Sequence, residues 1–380
     1  MRRGLAISVL AACALAACSL LTSLDDLRDG GDGGDGGGAV CEGGRTSCAK
    51  LCVDLGTDGH NCGACGHDCL GGGCSGGACQ PITLASGQAS PFGIAVDSQR
   101  VYWANNDYKT TFASCPIAGC PASGPDVLLD KQDLPADVFV LGSMLFMTRY
   151  HAAPDGGTDA AVMMCDPSNC AGSLKTLAVM PPSNPVAVVA NSTAVYWAND
   201  TLGTIDTCPV PNCTTPTTFA QDKPGGPWYG LAIDGQAVYW TSHPSNNTGG
   251  VYSCSVGGCA TPTAIATGGD PFDLAIDSQY VFWTSSATGE VLRCPLGGCG
   301  ANQPTVIAAN QSQPTGVAVD SSGVYWLNSA AVLRCDVSGC GTQGPTILAT
   351  GQGGPWEIVL DANSIYWTNA GDGRVMRLAK

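Results

Sequence analysis

Basic residues are scarce in this 380-residue chain: 16 Lys and Arg stand against 31 Asp and Glu, a formal net charge of −15. Polyanion binding needs cationic side chains to neutralise phosphates, so nucleic acid is not expected as a partner. Histidine is rarer still, at four residues. His60 and His67 lie in a cysteine-dense stretch, and His151 and His243 have neither a Ser/His/Asp nor a metal-ligand spacing around them. No cofactor and no metal is therefore expected. Residues 4–17 are an apolar run too short to span a bilayer as a permanent helix, and no other run is long enough to cross one. No segment holds a 3.6-residue apolar period over three turns, and Gly and Pro interrupt the chain about every ten residues, which excludes a helical fold.

What the chain has in plenty is one repeated unit. In Pro271 to Asn310, PFDLAIDSQYVFWTSSATGEVLRCPLGGCGANQPTVIAAN, four short strand signals follow one another. The second strand of each copy carries an aromatic core: Val101-Tyr102-Trp103, Leu145-Phe146-Met147, Val195-Tyr196-Trp197, Val238-Tyr239-Trp240, Val281-Phe282-Trp283, Val324-Tyr325-Trp326 and Ile365-Tyr366-Trp367. The intervals are 44, 50, 43, 43, 43 and 41 residues. A period of about 40–45 residues with four strands per unit marks a β-propeller blade. The first strand of each copy follows a Pro, at 91, 135, 185, 227, 271, 314 and 355. Its small and β-branched residues suit the crowded innermost position. Alternation along the second strand sends Tyr and Trp to opposite faces, one toward each neighbouring blade. The recurring Asp97, Asp234, Asp277, Asp320 and Asp361 occupy one strand-end position, where Asp caps a turn by accepting backbone bonds.

The seventh copy stops at its third strand, Arg374 to Lys380. The missing fourth strand stands at the other end, where PITLASG from Pro81 matches PTILATG from Pro345. The fold expected is all-β: a seven-bladed β-propeller of four-stranded blades over residues 81–380, closed by its N-terminal strand, which removes open sheet edges. Six copies carry a cysteine pair five positions apart: Cys115 and Cys120, Cys165 and Cys170, Cys208 and Cys213, Cys254 and Cys259, Cys294 and Cys299, and Cys335 and Cys340. Each reads as a disulfide across the hairpin between strands three and four. The cores Val238-Tyr239-Trp240-Thr241 and Ile365-Tyr366-Trp367-Thr368 are similar to the YWTD repeats of lipoprotein-receptor propellers. The last Asp of that motif is Ser242 or Asn369 in these two copies, and the family has six blades. The resemblance implies a propeller with a binding role and carries over no ligand.

Residues 41–80 form a separate module. Cys41, Cys48, Cys52, Cys62, Cys65, Cys69, Cys74 and Cys79 fall in a Gly-rich stretch with almost no large apolar residue, so it needs covalent staples in place of a core. Four disulfides are expected, with the connectivity open among 105 pairings. Cys62-x-x-Cys65 with His67 and Cys69 also has ligand types and spacing that zinc uses, although thiolates outside the cytoplasm oxidise instead. The run CVDLGTDGHNCGACGHDC from Cys52 resembles the stigma-specific cysteine-rich family. It covers about a tenth of the chain and implies a structural or interaction module.

Residues 1–17 read as a signal peptide, with Arg2 and Arg3 ahead of an apolar segment. Leu15-Ala16-Ala17-Cys18 resembles a bacterial lipobox, which implies cleavage before Cys18 and its lipidation; a cut at the earlier Leu10-Ala11-Ala12-Cys13 would leave a very short apolar region. Removing Cys13 and lipidating Cys18 leaves twenty of the 22 cysteines, an even number. Ser19 after the anchor, where Asp is absent, implies the outer membrane. Residues 18–40, with GDGGDGGG and no aromatic residue, form a flexible tether.

Function is expected where the copies differ, in the loops on the face that also carries the connections between blades. The candidates there are Asn105, Asn106, Asp107, Tyr108, Arg149, Tyr150, His151, Asn199, Asp200, Trp228, Tyr229, His243, Trp356 and Glu357. The loops after Met147 and Trp240 are the longest. An aromatic, Asn-rich rim suits a protein or glycan ligand. The expectation is a monomeric, surface-anchored lipoprotein whose propeller binds or scaffolds. The alternative is an extracytoplasmic hydrolase or lyase on the same face, which a His–carboxylate cluster or convergent carboxylates would favour.

Overall fold

The computed structural model describes residues 41–107, 110–150, 160–179, 183–221, 227–243, 249–300 and 303–380. Seven four-stranded antiparallel sheets follow one another in chain order. Blade 1 comprises Pro91–Val96, Arg100–Asn105, Thr110–Pro116 and Asp126–Gln132. Blades 2 to 6 start their first strands at Pro135, Pro185, Pro227, Pro271 and Val317. Blade 7 comprises Pro355–Leu360, Ser364–Asn369 and Arg374–Ala379, and its outer strand is Ile82–Ala85 from the other end of the chain. The register pairs Val375 with Ala85 and Arg377 with Ile82, so the N-terminal segment closes the ring. A one-turn helix, Cys170–Ser173, is the single α-helical element among the described residues.

Seven apolar clusters hold the ring, one at each seam between blades. Each contains the Tyr or Phe of one second strand and the Trp of the next. Tyr196 packs with Trp240, Tyr239 with Trp283, Phe282 with Trp326, Tyr325 with Trp367 and Tyr366 with Trp103. Phe146 meets Trp197, and in blade 2 Met147 replaces Trp opposite Tyr102. Period-two alternation therefore supplies both faces of every blade. Threonine after Trp adds a polar stitch across several seams: Thr241 donates to Phe272 O (3.1 Å), and Thr368 donates to Phe92 O (2.8 Å) across the closing seam.

Glutamines in the connections finish the Trp layer. Gln88 Oε1 accepts from Trp103 Nε1 (3.0 Å), Gln311 from Trp326 (3.0 Å) and Gln352 from Trp367 (2.9 Å). Each glutamine stands three residues before the Pro that opens its blade; blades 3 and 4 have Pro182 and Pro224 at that place in the sequence. The indole N–H groups of Trp197 and Trp240, in those blades, are buried without a partner among the described residues.

Ten disulfides use all twenty cysteines from Cys41 onward. Six close the hairpins between strands three and four, pairing Cys115–Cys120, Cys165–Cys170, Cys208–Cys213, Cys254–Cys259, Cys294–Cys299 and Cys335–Cys340. The module pairs Cys41–Cys52, Cys48–Cys65, Cys62–Cys74 and Cys69–Cys79, so the thiols with zinc-like spacing are all engaged in disulfides. Cys62, Cys69 and Cys79 join the apolar cluster of Tyr325, Ile365, Met376 and Leu378. The module is thereby packed against the last two blades.

Candidate binding site at the channel mouth

The first strands of six blades enter the ring at a bulge. Pro91 pairs with Asn105, but the next partners are Ile94 and Trp103, so the first strand spends one more residue than the second. Blades 5 and 7 shift in the same way between Pro271 and Leu274 and between Pro355 and Ile358. A bulge frees its extra residue from the ladder and re-aims the side chains beside it. The two residues after the Pro form a pair that differs in every blade: Phe92-Gly93, Ala136-Asp137, Val186-Ala187, Trp228-Tyr229, Phe272-Asp273, Thr315-Gly316 and Trp356-Glu357.

The first of these positions gives an aromatic group. Trp356 stacks on Phe92 with centroids 4.4 Å apart and meets Phe272 edge-on at 5.3 Å. Phe272 belongs to blade 5 and Trp356 to blade 7, with blade 6 between them, so this contact spans the channel mouth. All three rings are half-buried.

The second position gives an acidic ring. Asp137, Asp273 and Glu357 line a channel cavity of about 470 Å³ whose other walls are the apolar first strands, and among the described residues its lining contains no Lys, Arg or His. Each aspartate reaches across a seam. Asp137 accepts from Val138 N (2.7 Å) and from Val188 N of blade 3 (2.8 Å). Asp273 accepts from Leu274 N (2.7 Å) and from Val317 N of blade 6 (2.9 Å). Burial pushes both carboxyls up to about 7, against the downward pull of those N–H groups; the charge of Asp273 adds to the rise at Asp137. Burial, and then the charges of Asp137 and Asp273, raise Glu357 well above the ordinary carboxylate range, while Ile94 N of blade 1 pulls it down. Each acid keeps part of its surface on the lumen while protein surrounds it. Glycine stands at this position in the blade before two of the acids, Gly93 before Asp137 and Gly316 before Glu357. A Cβ on Gly93 would lie 2.5 Å from Asp137 Cα, and one on Gly316 would lie 2.9 Å from Glu357 Cα.

The rim residues expected from the sequence divide differently. Asn105 and Asn199 are 4% and 0% exposed. Asn105 Nδ2 donates to Gln88 and Thr111, and Asn199 Nδ2 to Thr204 and Asp206, so both are internal braces, withdrawn from any ligand. Asn106 Nδ2 is committed to Pro135 O of blade 2 (2.8 Å), and Arg149 donates to Gln132 Oε1 (2.5 Å). Tyr150 packs onto the seam cluster of Tyr196 and Trp240. Asp107 is exposed, and Asp200 accepts from Thr201 Oγ1 (2.8 Å). Tyr108 and His151 lie outside the described residues, as do most of the loops after Met147 and Trp240. Trp228 and Tyr229 are placed by their backbone in Pro227–Ile233, their side chains outside the description. His243 Nδ1 pairs with Asp270, the residue just before Pro271, on the same face. Of the expected residues, Trp356 and Glu357 come together with partners that sequence reasoning missed: Phe92, Phe272, Asp137 and Asp273. The signal was present in the variable pair after each Pro.

No protein-family model and no curated protein sequence matches the chain. Similar folds occur among solved structures. Virginiamycin B lyase from Staphylococcus aureus superposes with a TM-score of 0.61 at 13% identity, covering 79% of this chain and 98% of the lyase. A catalytically inactive histidine-to-alanine form of that lyase, solved with quinupristin, matches equally, with TM-score 0.61. BamB from Moraxella catarrhalis matches with TM-score 0.53 at 12% identity, over 80% of this chain and 99% of that one. At such identities the likeness shows the seven-bladed, four-stranded architecture alone, a fold suited to binding or scaffolding.

Proposed function

We propose that the protein is a surface-anchored lipoprotein whose propeller holds a protein or glycan ligand at the channel mouth. One observation carries this reading: Trp356, stacked on Phe92 and edged by Phe272, presents a half-buried aromatic surface over a channel that holds three carboxylates. Aromatic faces suit the C–H faces of sugars and the apolar side chains of peptides, and carboxylates accept hydroxyl and amide donors. A glycan and peptide array probed with the purified protein tests it. Binding by wild type that falls at least tenfold in W356A supports the reading; no binding, together with metal-dependent turnover, overturns it.

Anchoring has its own support in the lipobox-like Leu15-Ala16-Ala17-Cys18 and in ten disulfides, which fit an oxidising compartment. Cys18→Ser is expected to abolish acylation and release the chain from the membrane fraction. A membrane-bound, unacylated C18S protein would show that the anchor lies elsewhere.

The His243–Asp270 pair, together with the three channel carboxylates, favours a second reading as a lyase or hydrolase of the same face. Quinupristin, the compound solved with the lyase of similar fold, is the first substrate to try, with and without divalent metal. Turnover of quinupristin that disappears in H243A would favour the enzyme over the binder.

A further inference from the structure

The channel cavity has two unlike ends. All seven first strands line it, and Asp137, Asp273 and Glu357 form the layer nearest the rim face. Phe92, Phe272 and Trp356 stand one residue before that layer and are not part of the lining. From the acids the cavity runs the other way, past Val138, Leu274 and Ile358, to a collar of aliphatic side chains: Val96, Val140, Ile233, Ile276, Val319 and Leu360. Each collar residue is half-buried. Three steps of strand separate acids from collar, roughly 10 Å at about 3.3 Å per residue. The volume, about 470 Å³, falls among those of small-molecule sites.

Just past the collar the chain turns into the second strands, and Asp97, Asp234, Asp277, Asp320 and Asp361 stand at those turns. Each caps its turn through Oδ1, and Lys380 offsets Asp320. This mouth therefore carries a negative rim, which draws cations toward it. The collar behind the rim opposes a fully hydrated ion and favours an apolar stem. At the far end three carboxylates meet no Lys, Arg or His among the described residues of the lining. Burying such charge is costly unless an opposite charge comes with it. We propose that the channel takes an aliphatic amine through the collar and seats its ammonium among Asp137, Asp273 and Glu357. This site lies on the opposite side of the acids from the aromatic surface and does not rest on it.

Protons compete with such a ligand. Burial pushes Asp137 and Asp273 up to about 7 and holds Glu357 well above the ordinary carboxylate range. An alkyl amine, like Lys, keeps its own proton to about pH 10. No other titratable side chain lines the cavity among the described residues, so binding releases protons at pH 6 and tightens as pH rises through about 7. Isothermal titration calorimetry on the oxidised full chain, with n-octylammonium, octan-1-ol and octanoate, tests the proposal. Octylammonium is expected to bind one to one at pH 7.5, at least tenfold more tightly than octanol, and octanoate not to bind. Buffers of different ionisation enthalpy should report the proton release at pH 6. Asp137→Asn/Asp273→Asn should weaken octylammonium at least tenfold and leave octanol unchanged. Asp130→Asn, which removes an exposed charge outside the channel, should change neither. No saturable binding, equal affinity for octylammonium and octanol, or an equal loss in D130N overturns the proposal. If D137N/D273N does not fold, Glu357→Gln takes its place with the same tenfold loss expected.

Discussion

At the scale of single residues, the channel acids invert the usual response to pH. Asp137 and Asp273 titrate near 7 when folded and at about 3.9 when unfolded. Between those values the folded chain holds more protons than the unfolded one, so stability falls as pH rises through that window. Calorimetry should find the melting temperature higher at pH 5 than at pH 8, and the slope should flatten in D137N/D273N; a melting temperature that rises toward pH 8 would contradict the assignment. Trp326 stands for the seam aromatics: it is fully buried against Phe282, and Trp326→Ala is expected to cost about 3–5 kcal/mol in urea unfolding. Gln352→Ala removes the acceptor of Trp367 Nε1 and Asn369 Nδ2 and should cost about 1–3 kcal/mol. The aromatics were legible because they recur at strand spacing. Asp137 and Asp273 were not, because alternation along a regular strand cannot foresee a bulge. Asn105 and Asn199 misled for the converse reason: Asn at a strand end reads as a loop residue until its amide is found bracing Gln88 or Asp206.

At the scale of elements, each hairpin disulfide closes a six-residue loop. The Cys294→Ser/Cys299→Ser pair should lower stability by about 2 kcal/mol in the chain-entropy account, measured in denaturant under oxidising conditions. The closing strand matters more. Removing residues 81–86 would leave Arg374–Ala379 as an unpaired edge and strip Leu84 and Ala85 from the seam of Trp103 and Tyr366. Light scattering should then show association that the full chain lacks. This closure could be read from the sequence, because PITLASG repeats the fourth-strand text of blade 6. The contact between module and blade 7 could not: it depends on Arg377 and His67, single side chains reaching main-chain oxygens about three hundred residues away, and no pattern marks such a bond in advance.

At the scale of the whole molecule, a formal charge of −15 and a carboxylate-lined channel should keep the protein from binding heparin or DNA at physiological salt, which a mobility-shift titration checks. Blade number and order were set by a repeat that no local accident could blur, since seven copies each needed two apolar faces. The site was blurred for the same reason: it is assembled from the few positions where the copies disagree, and their convergence across the channel appears only once the ring is closed. That closure also bears on how the chain is made. Synthesis runs from the N-terminus, so Ile82–Ala85 emerges first and its partner strand Arg374–Ala379 last. For the whole interval the earliest strand has nowhere to pair. A product cut short at any blade carries one loose strand and one raw edge, both ready substrates for a protease. The ring thus acts as a proofreader of its own length, since only a chain made to its final strand can hide its beginning.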